Sequence, residues 1–322
     1  PKYGYGVFLC ITERAEMNLK GKHFINLEDF SKDDILGLLD LAEALKKDVK
    51  EKKDLNIMKN KTLVMYFSKP SLRTRISFEV GMQKLGGNAV VIKQDEIILG
   101  KRESIEDTAR VISRYADGIT IRTFAHSDVE QFAKYSSIPV INALTDLSHP
   151  CQIMADLLTI KEHFKKFNGL KLAYIGDGNN VTNSLLIGCS LLGIDISVAA
   201  PEGYEPDSEC VLNAKKFASG SGAKVEILNS PDDAAKGAHV FYTDVWTSMG
   251  QEAEAEKRKE IFKNYQINTN LLKLADKNHI VLHCLPAHKG EEITEEAFEL
   301  HAASILEQAE NRMHAQMAIM AS

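Results

Sequence analysis

A chain of 322 residues with 44% hydrophobic and 26% charged side chains has the make-up of an ordinary globular protein and length enough for about two domains, each burying its own core. Its formal net charge of -6 argues against nucleic acid or an acidic membrane surface as the main partner, so any anion it binds is held by a local site. The five cysteines, Cys10, Cys151, Cys189, Cys210 and Cys284, are scattered and never form a C-x-x-C pair, which leaves no zinc cage and fits a reducing, cytoplasmic setting.

No apolar run approaches the roughly 20 residues that cross a bilayer. Residues 1–16 carry a short apolar patch followed by acidic residues and resemble neither a signal nor a transit peptide. We read them as an extension ahead of Met17. A helix is expected over 31–43, with Ser31 as N-cap, Asp33 and Asp34 in its first turn and helical apolar spacing. It continues into the charged tract 46–53, a solvated face.

Residues 61–67 are rich in apolar and β-branched side chains and read as a strand. The breaker Ser68-Lys69-Pro70 follows, and then a helix over 71–85 that stops at Gly86-Gly87. Ser71 can cap this helix, leaving the free N–H groups of the first turn beside Arg73 and Thr74 at the positive end of the dipole. Such a corner seats anions, phosphate above all. Taken alone, it also describes a capped helix with solvated arginines. Strands over 88–92, 118–122 and 138–142 then alternate with helices over 104–115 and 127–136, the pattern of a mainly parallel sheet covered on both faces.

A helix over 150–167 leads to a second block of the same kind, with strands over 170–175, 195–200, 224–228, 239–243 and 279–283 and helices between them. The fold expected is α/β: two doubly wound lobes with mainly parallel sheets, joined by a connecting helix. A final helix over 309–320 packs back onto one lobe. Domain limits follow as 17–149 with 309–322, and 150–308. A crevice facing the carboxyl ends of the strands is where such folds bind ligands.

The candidates for chemistry fall just after strands or at helix starts. Arg122 ends a strand. His149 and Gln152 flank Pro150 at the start of the connecting helix, near its free N–H groups. Gly176-Asp177-Gly178-Asn179-Asn180 follows a strand like half of a dinucleotide fingerprint, without the third glycine. Asp244-Val-Trp-Thr-Ser-Met-Gly250 follows another and suits either a lid over a cationic group or a capping turn. His283-Cys284-Leu285-Pro286 ends the last core strand, and Glu310-Asn311-Arg312 opens the terminal helix. Each has an ordinary structural reading: a surface arginine, a capping histidine, a buried cysteine, a surface ion pair.

Together, Ser71-Leu-Arg-Thr-Arg75, His149-Pro-Cys-Gln152, Asp244-Val-Trp-Thr-Ser-Met-Gly250, His283-Cys-Leu-Pro286 and Glu310-Asn-Arg312 resemble the ordered motifs of the carbamoyltransferases, and among them the ornithine carbamoyltransferases. The resemblance runs from about Met17 to the C-terminus. It implies transfer of the carbamoyl group of carbamoyl phosphate to the side-chain amine of L-ornithine, giving citrulline and phosphate in arginine metabolism, without metal or organic cofactor, in a homotrimer or multiple of trimers. It also implies residue roles. Ser71, Leu72, Arg73 and Thr74 hold the phosphate; Arg122 bridges phosphate and carbonyl oxygen; His149, Gln152 and Arg312, with the backbone of Cys284 and Leu285, grip the carbamoyl end. Asn180, Asp244, Ser248 and Met249 bind ornithine. Arg122, His149, Asp244 and Cys284 are the residues expected at the chemistry, with Asp244 on the α-ammonium and Cys284 beside the attacking amine. On this reading 17–149 is the carbamoyl-phosphate domain and 150–308 the ornithine domain.

Two positions depart from the family pattern. Leu72 replaces a threonine in a place used through its backbone, and Ile98 stands where many members have a polar residue that reaches a neighbouring subunit. Isoleucine cannot donate a hydrogen bond. Two other readings are open: the same chemistry on putrescine, N-acetylornithine or aspartate, or a nucleotide-binding regulatory protein or oxidoreductase resting on Gly176-Asp-Gly178. The clamp-like Asp244 with Ser248-Met249-Gly250 favours a free α-amino acid over the former, and the missing third glycine disfavours the latter.

Overall fold

The computed structural model describes residues 19–322, apart from residues 95, 97 and 249 and the side chain of residue 252. The expected extension 1–16, Met249 and parts of the loop around Ile98 therefore lie outside the described residues. The chain forms two compact units, one running to Leu158 and taking in Asn311–Ser322, the other Thr159–Glu310.

In the first unit Ser31 caps α1 (Lys32–Lys50). Its hydroxyl accepts from the Asp34 N–H while the Asp34 carboxylate accepts from the Ser31 N–H, a reciprocal capping box. Four strands, β1 (Thr62–Phe67), β2 (Asn88–Lys93), β3 (Gly118–Arg122) and β4 (Val140–Leu144), are all parallel and lie in the order β2-β1-β3-β4. The connections are α2 (Leu72–Lys84), α3 (Ile105–Ile112) and α4 (His126–Tyr135). Strand β4 begins two residues later than expected because Pro139 has no N–H to give the ladder. From β1 the chain crosses to β2 on one side and then to β3 on the other. The carboxyl ends of β1 and β3 therefore flank a topological switch point, the position where open α/β sheets take ligands. Val64, Ile119, Ile121, Val129 and Phe132 form the core beneath it.

Helix α5 (Pro150–Phe164) starts in this unit and ends in the next. The second sheet is again all parallel. Its strands β5 (Lys171–Ile175), β6 (Asp195–Ala199), β7 (Val225–Leu228), β8 (Val240–Thr243) and β9 (Ile280–His283) lie in the order β7-β6-β5-β8-β9, so the switch point lies between β5 and β8. The helices are α6 (Asn180–Leu192), α7 (Ser208–Ser221), α8 (Pro231–Ala235), α9 (Ala255–Phe262), α10 (Thr269–Leu272) and α11 (Glu295–Leu300). No helix among the described residues is long and apolar enough to cross a membrane.

The terminal helix α12 (Ala302–Ala321) starts seven residues before the expected 309. Glu310, Asn311 and Arg312 therefore sit in mid-helix and not at a helix start, because residues 302–309 contain no breaker to delay it. Its last part packs back as expected. Lys46 Nζ donates to Asn311 Oδ1 at 2.7 Å inside the protein, and a Cβ at Gly81 of α2 would lie 3.1 Å from Met317 Cγ.

The β5–α6 turn explains Gly178, one of the two glycines that resemble a nucleotide fingerprint. Gly178 donates its N–H to the Tyr204 carbonyl at 2.9 Å, and a Cβ there would stand 2.2 Å from Pro206 N and 2.3 Å from the Glu205 carbonyl carbon. Glycine is required by the close approach of the protein's own backbone. Gly220, in α7, has open space around its Cβ position and no left-handed φ. Gly178→Ala is accordingly expected to cost about 3 kcal/mol through overpacking, and Gly220→Ala to stabilise by about 0.5–1 kcal/mol. Thermal unfolding of the two variants should show opposite signs.

Candidate active site

The first switch point carries a cluster of cationic side chains. Ser71 caps α2, its hydroxyl accepting from the Thr74 N–H at 3.3 Å, which leaves the first-turn N–H groups facing outward. Thr74 is buried, and its Oγ1 accepts from Arg122 Nη1 at 3.2 Å and from Arg312 Nη2 at 3.1 Å. Arg122 is placed by the end of β3, where the pairing with β4 skips a residue between Ile121 and Arg122, and its carbonyl accepts from the Ser68 N–H at 2.9 Å.

Arg312 reaches the same spot from α12 and donates through Nη1 to Gln152 Oε1 at 2.6 Å, while Gln152 Nε2 donates to Asp156 Oδ1 at 2.8 Å. His149 is buried beside them. Burial first, and then the positive charges of Arg312 and Arg122, hold its imidazole well below the usual histidine range, so the ring is neutral. Cys151 is buried filler in the same turn, its thiol pushed by burial to about 12. Two guanidinium groups on one hydroxyl beside a helix N-terminus form a positive seat that an anion completes. Arg75, by contrast, pairs with Glu79 at 3.3 Å along the exposed face of α2.

The second switch point is built from carboxylates. Asp244 follows β8 and is buried. Its Oδ2 accepts from Asn179 Nδ2 at 2.8 Å, and its Oδ1 accepts from the Val245 N–H at 2.8 Å and from Cys284 Sγ at 2.9 Å. Asn179 is also the N-cap of α6, its Oδ1 accepting from the N–H groups of Val181 and Thr182. Asp177 lies close by, paired with Arg258 at 3.1 Å. Burial pushes its carboxyl up to about 6 against the pull of Arg258, and the Asp244 charge adds to the rise. Arg258 stacks over Tyr204 and donates to the Trp246 carbonyl at 2.8 Å. Trp246 is itself buried against Phe262. The tryptophan is thus the anchor of the 244–250 loop and not the part of it free to cover a ligand. Ser248, which follows, is part-exposed, its N–H held by Gln251 Oε1 at 3.1 Å.

Of the expected residues, Ser71, Thr74, Arg122, His149, Gln152 and Arg312 converge in the first unit, with Arg73 part-exposed in the first turn of α2 and the Leu72 side chain turned out to solvent. Cys284 and Leu285 belong to the second unit, where Cys284 meets Asp244. Asn180 is the first residue of α6, whereas the asparagine that touches Asp244 is its neighbour Asn179. Asn179 was legible as a cap, standing just before an apolar helical run. Asp177 and Arg258 carry no such mark: a lone acid in a glycine turn and an arginine in a charged helix look like surface. Asp244, His283 and Cys284 offer ligand atoms within 4.8 Å of one another, but both nitrogens of His283 are already engaged, Nε2 with Glu292 and Nδ1 with the Leu285 N–H.

Residues 22–162 match the family model of the aspartate/ornithine carbamoyltransferase carbamoyl-P binding domain, and residues 168–322 match that of its Asp/Orn binding domain. An ornithine carbamoyltransferase of Gloeobacter violaceus is 50% identical over 92% of this chain and 94% of its own, and one of Thermococcus kodakarensis is 49% identical over 95% and 97%. Among solved structures, the ornithine carbamoyltransferase from Pyrococcus furiosus superposes with a TM-score of 0.91 at 47% identity, covering 94% of this chain and 97% of that one. With both domain models matched and relatives of this identity over nearly the whole length, the chain belongs to the aspartate/ornithine carbamoyltransferase family.

Proposed function

We propose that the protein transfers the carbamoyl group of carbamoyl phosphate to the side-chain amine of L-ornithine, giving L-citrulline and phosphate. The convergence of Arg122 and Arg312 on the Thr74 hydroxyl, beside a neutral His149, carries this reading, because it provides for a phosphate dianion before any ligand arrives. Ser71, Leu72 through its backbone, Arg73 and Thr74 take the phosphate oxygens. Arg122 spans phosphate and carbonyl oxygen, and His149, Gln152 and Arg312, with the backbone of Cys284 and Leu285, hold the carbamoyl group.

As the amine attacks the carbonyl carbon, negative charge grows on the carbonyl oxygen. Fixed donors such as Arg122 and a neutral His149 N–H stabilise it by roughly 3 kcal/mol each. The C–O bond to phosphate then breaks, and the phosphate leaves within its own cationic seat. The amine must be neutral to attack, whereas a free alkylamine has a pKa of about 10.4; Cys284, hydrogen-bonded to Asp244, is the group placed beside it.

Asp244 pairs with the α-ammonium, and Asn180, Ser248 and Met249 bind the rest of the amino acid. N-acetylornithine lacks that ammonium and putrescine lacks the carboxylate, so both leave part of the clamp unmet. We place the enzyme in the cytoplasm, since the cysteines among the described residues form no disulfide, and in a trimer or multiple of trimers, for which the apolar side chains of Leu72, Ile76 and Val90 exposed on the first unit are available.

Incubation with carbamoyl phosphate and each amine, followed by the ureido colour reaction, should yield product with ornithine. Product with putrescine and none with ornithine would reassign the acceptor. In titration calorimetry Arg73→Ala is expected to abolish carbamoyl phosphate binding, by at least about 10²-fold, while Asp244→Ala spares it and weakens ornithine. Equal loss of both ligands in either variant would refute the division of roles. The neutral His149 also has a pH signature. Its folded pKa lies well below the ordinary 6.5, so unfolding takes up a proton there, and the associated stability, present above pH 6.5, is lost as pH falls below it. Stability should therefore drop more steeply between pH 7 and pH 5 in the parent protein than in His149→Gln.

A further inference from the structure

We propose that His283 and Glu292 act as a positioning pair that fixes the backbone of Cys284-Leu285 and so holds the Cys284 thiol on Asp244. The inference deepens the proposed function, on which it rests only for what the thiol does to a substrate.

His283 is the last residue of β9, and its side chain and that of Glu292 are both fully buried. Imidazole Nδ1 accepts the Leu285 N–H at 2.9 Å, and Nε2 lies 2.9 Å from Glu292 Oε1. A backbone N–H can only donate, so Nδ1 bears no hydrogen and the ring proton sits on Nε2, donated to the carboxylate. The tautomer is thus set by its partners. The same Glu292 oxygen accepts the His288 N–H at 2.6 Å, which ties the far side of the loop to the ring. The His283 N–H is in turn held by Gln308 Oε1 at 2.8 Å, and Gln308 Nε2 donates to the Tyr242 hydroxyl at 3.2 Å.

What this assembly holds in place is an unfavourable turn. Leu285 has φ +61, the left-handed region that costs a residue with a Cβ and persists only where its surroundings over-determine it. Its N–H is the group that His283 accepts. Cys284 lies between the ring that grips and the residue that is strained, and its Sγ donates to Asp244 Oδ1 at 2.9 Å. If the acceptor at Nδ1 is removed, Leu285 can relax to an ordinary φ, and the thiol turns away from Asp244. With both nitrogens engaged, His283 does not itself reach a reacting atom.

Asparagine and glutamine separate the two contacts. In His283→Asn the amide oxygen stands near the place of Nδ1 and can accept from Leu285; in His283→Gln the longer side chain reaches Glu292 and leaves Leu285 without its acceptor. With the full chain, peptide-resolved alkylation of Cys284 by iodoacetamide should change roughly tenfold in His283→Gln, the scale on which a thiol responds to its surroundings, and stay near the parent rate in His283→Asn. The kcat with ornithine should fall about 10²-fold in His283→Gln, as for an Å-scale misplacement of a reacting group, and be largely restored in His283→Asn. Equal alkylation rates in the two variants overturn the proposal. Absence of ureido product from the parent protein overturns the reading of function instead, and the alkylation comparison still decides the pairing. Should either variant fail to fold, nitrogen NMR of histidine-labelled parent protein supplies the test: an unprotonated Nδ1 and protonated Nε2 at His283 are expected, and the opposite tautomer or an imidazolium overturns the pair.

Discussion

The hydroxyl of Thr74 is the point on which the cationic cluster of the first unit depends. It receives one guanidinium from a residue 48 positions away and another from a residue 238 positions away, so two like charges are brought together over one small acceptor. Like charges held this close repel, and the more strongly where water is excluded. The cost is borne by the fold, since Arg122 is set by the end of a buried strand and Arg312 by a helix tied to α1 through Lys46 and Asn311. A ligand with two negative charges would relieve that repulsion, and the same field adds to the burial that keeps His149 neutral.

Much of this was legible in the chain, for a physical reason. In a doubly wound sheet the ligand residues fall in the turns after particular strands, so reading strands by composition and turns by their breakers also picks out positions for chemistry. Ser71, Arg122 and Asp244 fall after β1, at the end of β3 and after β8, strands that flank the switch points of the two sheets, and Cys284 follows the edge strand β9.

What escaped was whatever depends on partners distant in sequence. Nothing local distinguishes Arg258 from the charged residues around it, yet it is buried on Asp177 and donates to the Trp246 carbonyl. The start of α12 was misplaced because period and propensity change smoothly across residues 302–309, with no residue to mark the boundary. Asn180, the position that the family resemblance implies, opens α6, while Asn179 before it caps the helix and meets Asp244. The glycines of the β5–α6 turn suggested a nucleotide. At Gly178 the cause is steric, since residues 204–206 pass so close that no side chain fits.

The amine side resolves a different electrostatic problem. Asp177 and Asp244 are both buried, and the Asp244 charge adds to the rise that burial imposes on the Asp177 carboxyl. A cation shared between them would partly screen both charges and leave neither carboxylate fully available to a ligand. The fold instead commits Arg258 to Asp177, at 3.1 Å, and gives Asp244 only dipolar donors: an amide, a backbone N–H and a thiol. Those donors satisfy its hydrogen-bonding capacity without cancelling its charge. One of the two carboxylates therefore keeps an unmatched negative charge in a place that is mostly dry, where attraction to an ammonium group is worth more than in water. That asymmetry, and not the presence of acids as such, leaves this turn able to attract a cationic group.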